Sequence, residues 1–108
     1  MHAEDHARGI LAAAHRGVPG EVYNLGTSDS RVNLDVVLSI LGRMDIVGSM
    51  AKERIEFVRD RPGHDRAYAI NPQKALDNLM WEPEWRFIAP QGGGLNNTIL
   101  WYTGELCC

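Results

Sequence analysis

Apolar residues recur every three to four positions in three stretches of the chain, and each stretch predicts an amphipathic helix. Ala7, Ile10, Leu11 and Ala14 define the first, over residues 4–16, with Asp5 near its start and Gly17 placed to end it. Leu34, Val37, Leu38 and Leu41 share a face of the second. Asn33 should be its N-cap, because a side-chain oxygen there can accept from a backbone N–H that has no intrahelical partner. Gly42 weakens the far end of this helix, and Gly48 lies beyond it. Leu95, Ile99 and Tyr102 mark the third, over 95–103. A shorter helix should open at Asn71-Pro72, with asparagine as cap and proline in the first helical position, and run through Lys74, Leu76 and Leu79. Alternating or β-rich runs at 21–25, 55–58 and 67–70 predict short strands. Residues 80–94 hold Trp81, Trp85, Pro83, Pro90 and the run Gly92-Gly93-Gly94, and are expected to be mostly irregular. Helices and strands interleave without a repeat or a dividing linker. The expected fold class is therefore α/β, a mixed α+β lobe occupying residues 1–108 as a single partial domain.

Composition narrows the function classes. A chain of 108 residues is one small domain or part of a larger one. Its hydrophobic fraction of 44% argues against disorder, and its net charge of −3 excludes a generally basic nucleic-acid binder. Between residues 52 and 66, Lys52, Arg54, Arg59, Arg61 and Arg66 are interspersed with Glu53, Glu56, Asp60 and Asp65. That leaves room for a local anion site but not for a stripe that tracks a phosphate backbone. No apolar run approaches the roughly 20 residues of a membrane span. The charged, histidine-containing first ten residues do not read as a signal peptide. Cys107 and Cys108 are adjacent and terminal, which is no disulfide framework, so a reduced, cytoplasmic setting is expected.

The densest chemistry lies in Asp60-Arg61-Pro62-Gly63-His64-Asp65. Proline fixes φ and glycine accepts angles closed to other residues, so a tight turn is predicted that displays a guanidinium, an imidazole and two carboxylates. Arg61 can make two parallel hydrogen bonds to a phosphate, and His64 can donate to a further oxygen. Asp60 and Asp65 can accept from hydroxyls or orient the two cations. The same residues also read as a surface turn with solvated ion pairs. Other groups carry less. His2 and His6 lack a third ligand at metal-binding spacing, so Asp5 and His6 read as capping and packing residues. Tyr23 and Tyr68 sit in strand-like patterns, and the tryptophans read as core or staple residues. Gly92 to Gly94 lack the lysine and hydroxyl residue of a P-loop and the spacing of a dinucleotide turn. There is no Gly-x-x-Gly-x-x-Gly after an opening strand and no Tyr-x-x-x-Lys, so the chain is not a self-sufficient oxidoreductase.

Together, Glu4-Asp5-His6-Ala7-Arg8, Gly20-Glu21-Val22-Tyr23-Asn24-Leu25-Gly26, Asn33-Leu34-Asp35-Val36-Val37 and the turn with Arg66-Ala67-Tyr68-Ala69-Ile70 behind it resemble the dTDP-glucose 4,6-dehydratases. These are a branch of the extended short-chain dehydrogenase/reductase (NAD-dependent epimerase/dehydratase) family. The likeness runs on through Lys74, Leu79-Met80-Trp81-Glu82-Pro83 and Thr98-Ile99-Leu100-Trp101-Tyr102. It implies the C-terminal, substrate-binding part of such an enzyme, without the Rossmann half. The complete enzyme is an NAD-dependent lyase that oxidises the sugar at C4, eliminates water across C5–C6 and returns the hydride to C6. No NAD is expected to bind this chain alone. The resemblance gives Asn33 the role of a contact to the nucleotide-sugar phosphates. It makes Asp60, Arg61, Pro62, Gly63 and His64 the loop over the nucleotide and diphosphate of a dTDP-hexose. It assigns no catalytic residue here, and neither nucleic acid nor membrane is an expected partner. The family's Leu-Gly-Trp is Leu79-Met80-Trp81 in this chain, and its Phe-x-x-Gly-Leu turn is lengthened to Phe87 through Leu95. Faces that pack on the missing half should be left apolar and exposed, favouring self-association or docking to a Rossmann-type partner. A related nucleotide-sugar epimerase or dehydratase, or a non-catalytic interaction protein derived from one, are the alternative readings.

Overall fold

The computed structural model describes residues 1–89 and 93–104, so Gly92 of the glycine run and the Cys107-Cys108 pair lie outside the described residues. Five helices are present among them: α1 (Ala3–Arg16), α2 (Asn33–Arg43), α3 (Ser49–Glu53), α4 (Gln73–Leu79) and α5 (Gly94–Thr103). None is long and apolar enough to cross a membrane. The chain divides into two compact units, one of Met1–Ser30 with the residues from Ala69 onward, the other Arg31–Tyr68.

In the first unit α1 packs on α4. The core consists of Ala12, Ala75, Leu79 and Trp81, with Ala13, Tyr23 and Leu25 against it. The buried stripe of α1 is Asp5, Gly9 and Ala12, and not the face of Ala7, Ile10, Leu11 and Ala14 expected from periodicity, which is exposed. The reason is steric. A Cβ at Gly9 would lie 2.8 Å from Leu25 Cδ1 and 3.1 Å from Trp81 Cε2, so only the small-residue face lets the helix approach these side chains. Asp5 is fully buried and fully engaged. Its two carboxylate oxygens accept from the backbone N–H groups of Glu84 (3.0 Å) and Trp85 (2.9 Å), and Arg8 Nη1 lies 3.2 Å from Oδ1. Trp81 Nε1–H donates to the Asp5 carbonyl (3.1 Å). At the other end of α1, Gly17 N–H closes on Ala13 O, and Arg16 Nε donates to Leu79 O (2.6 Å), placing a cation at the C-terminus of α4.

α4 begins one residue later than expected, at Gln73 with Pro72 as its cap position, but Asn71 still caps it: Oδ1 accepts from Gln73 N–H at 3.0 Å. The helix ends at Met80, which is left-handed with φ 45°. That explains the glycine of the family pattern at this position, since a Cβ makes such a φ costly.

The expected strands are not present: the described residues contain no β-strand, so this chain forms helices and irregular segments and not a mixed α+β lobe. A strand exists only when a neighbour completes its hydrogen-bond ladder. Two of the expected strands do meet, where Gly26 faces the Ile70 side chain and Asn24 Nδ2 lies 3.5 Å from Asn71 O, but no ladder joins them.

The second unit holds α2 and α3. The α2 helix buries no residue, and Ala51 of α3 is the one buried position among the described residues of this unit. Val36, Ile40 and Leu41 are half-buried, whereas Leu34, Val37 and Leu38 remain exposed. A reversal through Asp45 (φ 57°) and Gly48 (φ 63°) leads into α3, an element the periodicity did not predict.

Candidate functional site

The sequence-predicted site lies in the second unit. His64 N–H donates to Arg61 O at 3.2 Å, closing a four-residue turn with Pro62 second and Gly63 third, and Gly63 has φ 72°. Proline second and a positive-φ glycine third is the type II arrangement. The tight turn expected from Pro62-Gly63 is therefore formed. Across it, His64 Nδ1 and Asp60 Oδ1 stand 3.0 Å apart, so the carboxylate before the turn clasps the imidazole after it. This contact leaves Nε2 as the ring's remaining polar atom. The Asp60 side chain is 85% exposed and that of His64 34%, so the clasp is solvated.

Arg61 is exposed, and its guanidinium has no ion-pair or hydrogen-bond partner among the described residues. Its five donors are open to an anion. In water such a contact contributes about 0–1 kcal/mol, against about 1.5–3 kcal/mol where solvent is excluded, so this turn by itself grips a diphosphate weakly. Asp65 is likewise exposed.

Asn33 differs from the expectation. Val32 occupies the N-cap of α2, Asn33 is the first helical residue, and no side-chain cap bond forms. The extended backbone of Val32 (φ −71°, ψ 135°) already provides the entry into the helix, which displaces asparagine from the capping position. Its amide is exposed at the first turn of α2, and among the described residues no hydrogen bond joins it to the Asp60–His64 turn. The structure thus brings Asp60 and His64 together, leaves the Arg61 side chain open between them, and shows no hydrogen bond from Asn33 to the turn.

Tyr23, Trp81 and Trp85 make structural contacts. Tyr23 Oη accepts from Val18 N–H (3.1 Å), and Lys74 Nζ lies 5.0 Å above its ring. Trp81 is core, and Trp85 stacks on His2 with ring centroids 4.6 Å apart. Tyr68, expected to be half-buried in a strand, is exposed instead. His2 caps α1, its Nδ1 accepting from Glu4 N–H (3.3 Å). Glu21 pairs with Lys74 at 2.5 Å, and that ammonium holds the carboxyl below its ordinary range through a hydrogen bond and its charge.

Residues 1–89 match the family described as GDP-mannose 4,6 dehydratase. The chain is 39% identical over 105 residues to a dTDP-glucose 4,6-dehydratase of Shigella flexneri, covering 94% of this chain and 28% of the relative. The figures are the same for dTDP-glucose 4,6-dehydratase 1 of Escherichia coli strain K12. A dTDP-glucose 4,6-dehydratase of Neisseria gonorrhoeae is 35% identical over 109 residues, covering 94% of this chain and 30% of its own length. The chain therefore spans only about 28–30% of the length of these curated relatives. No solved structure matches it. With most of its length matched by one family and its relatives named for the same class of reaction, the chain belongs to the GDP-mannose 4,6-dehydratase family.

Proposed function

We propose that this chain is the nucleotide-sugar-contacting part of a dTDP-glucose 4,6-dehydratase-like lyase. In this reading Arg61 and His64 grip the diphosphate of a dTDP-hexose, Asp60 orients the imidazole, and Asn33 adds a polar contact at the start of α2. The observation that carries it is the guanidinium left without a protein partner on a rigid type II turn, beside an imidazole already clasped by a carboxylate.

NAD supplies the hydride chemistry of such lyases, but the residues here do not fit it. Gly93 is the glycine most like a phosphate-cradling one, and its open side is filled by the chain itself. A Cβ there would lie 2.7 Å from both Arg86 O and Phe87 O. The first N–H groups of α5 are also taken, Gly94 by Arg86 O and Leu95 by Phe87 O. No dinucleotide turn or Tyr-x-x-x-Lys pair occurs in the sequence. The dehydration itself accordingly belongs to residues other than these.

Calorimetry with dTDP-glucose and dTDP tests the reading. Binding is expected near the millimolar range, about 4 kcal/mol, because the turn is solvated. Arg61→Ala should abolish the signal; unchanged affinity in that variant would sink the assignment. Dehydratase turnover by the purified chain with added NAD would contradict the claim that the chemistry lies elsewhere. A second reading, a lobe that docks to itself or to a Rossmann-type partner, is favoured by the exposed apolar positions Ile10 and Leu11 of α1. A ligand-independent oligomer without nucleotide affinity would favour it over the first.

A further inference from the structure

The first unit contains a cavity of about 290 Å³ that the nucleotide-sugar reading does not use. Its wall includes His2, Thr27, Ser28, Asp29, Trp85 and Arg86. The wall is held from behind. The buried Asp5 carboxylate fixes the backbone N–H groups of Glu84 and Trp85, and Trp85 Nε1–H donates to Glu4 Oε2 (3.0 Å). Arg86 and Phe87 are pinned to α5 through their carbonyls. Gly94 leaves room for the His2 ring, since a Cβ there would lie 3.3 Å from His2 Cδ2.

The polar groups left over define the ligand. His2 Nδ1 accepts from Glu4 N–H, so the neutral ring carries its proton on Nε2 and offers a donor. Arg86 has no carboxylate partner among the described residues, and the Thr27 and Ser28 hydroxyls have no hydrogen-bond partner among them. The first N–H groups of α5 and the Thr98 hydroxyl are spent within the fold, the latter on Gly94 O (2.8 Å), so the helix terminus is not the attraction. Asp29 also lines the wall and has a partner of its own. We infer that this cavity binds a small phosphorylated polyol, its oxyanion taken by Arg86 and His2 and its hydroxyls by Thr27 and Ser28. The volume suits a ligand at the small end of the range that pockets accept. None of its lining residues belongs to the Arg61 turn.

An NMR titration of the whole chain with glycerol 3-phosphate, inorganic phosphate and glycerol tests it. Expected are saturable shifts at the amides of residues 27, 28, 85 and 86, with weaker binding of inorganic phosphate and none of glycerol. Arg86→Ala should weaken glycerol 3-phosphate about tenfold or more, and Arg86→Lys, which keeps the charge but not the fork, should weaken it less. Arg61→Ala should leave it unchanged. Binding undiminished in Arg86→Ala, shifts confined to residues 60–64 and lost in Arg61→Ala, or equal binding of glycerol would each overturn the proposal. Equal affinity for inorganic phosphate would overturn the polyol half of it.

Discussion

Asp5 is fully buried among apolar side chains, yet both of its carboxylate oxygens are hydrogen-bonded to backbone N–H groups and one also faces Arg8. Removing the carboxylate leaves two amides unpaired, so Asp5→Ala should cost about 2–4 kcal/mol in urea unfolding. A loss below about 0.5 kcal/mol would mean that the 84–85 segment finds other partners, and that the clamp is not what holds it. From sequence, Asp5 read as a capping and packing residue. Its real partners lie 79 and 80 residues away, beyond the reach of any local pattern. Met80 shows the opposite case. The sequence shows there a departure from the family's glycine, and the left-handed φ of 45° supplies its physical meaning. Met80→Gly should therefore stabilise the chain by about 1 kcal/mol, relieving a left-handed residue that is otherwise exposed. Thermal unfolding checks this, and an unchanged or lowered midpoint would show that the methionine packs usefully.

Among the elements, four of the five helices were legible and the strands were not, for one physical reason. A helix satisfies its backbone within itself, so the periodicity around Leu34 to Leu41 and the caps at Gly17 and Asn71 sufficed to find three of them to within a residue or so. A strand depends on a second segment, and the 21–25 run finds no ladder. It is held instead by side chains, Tyr23 on the Val18 amide and Glu21 on Lys74 of α4. The second of these contacts gives the element a pH dependence. Glu21 titrates below its ordinary value of 4.5 in the folded chain, so its contribution is present above that value and fades as pH falls through the lower, folded one. Glu21→Gln should flatten the stability profile on that acid side and reduce its sensitivity to salt. An acid limb identical to that of the parent chain would show that the pair is electrostatically silent. The effect will be small, since both side chains are well exposed.

At the scale of the whole molecule, few apolar side chains are buried among the described residues: Ala12, Ala75, Leu79 and Trp81 in the first unit and Ala51 in the second. Ile10 and Leu11 of α1, Phe57, Val58 and Ile70 all remain exposed, so the chain should associate as its concentration rises. Leu11→Lys should lower the average mass seen by light scattering while leaving the unfolding midpoint unchanged. A midpoint that falls instead would place Leu11 inside the fold. The sequence alone determined the Pro62-Gly63 turn and the segments that form α1, α2, α4 and α5, because each is settled by backbone sterics and hydrogen bonds within a few residues. Tertiary structure alone decided which face of α1 is buried, where the Asp5 carboxylate finds its partners and that the β-rich runs form no sheet. Each of those depends on groups the chain brings together only by folding, and contacts between distant residues leave no periodic trace along the sequence.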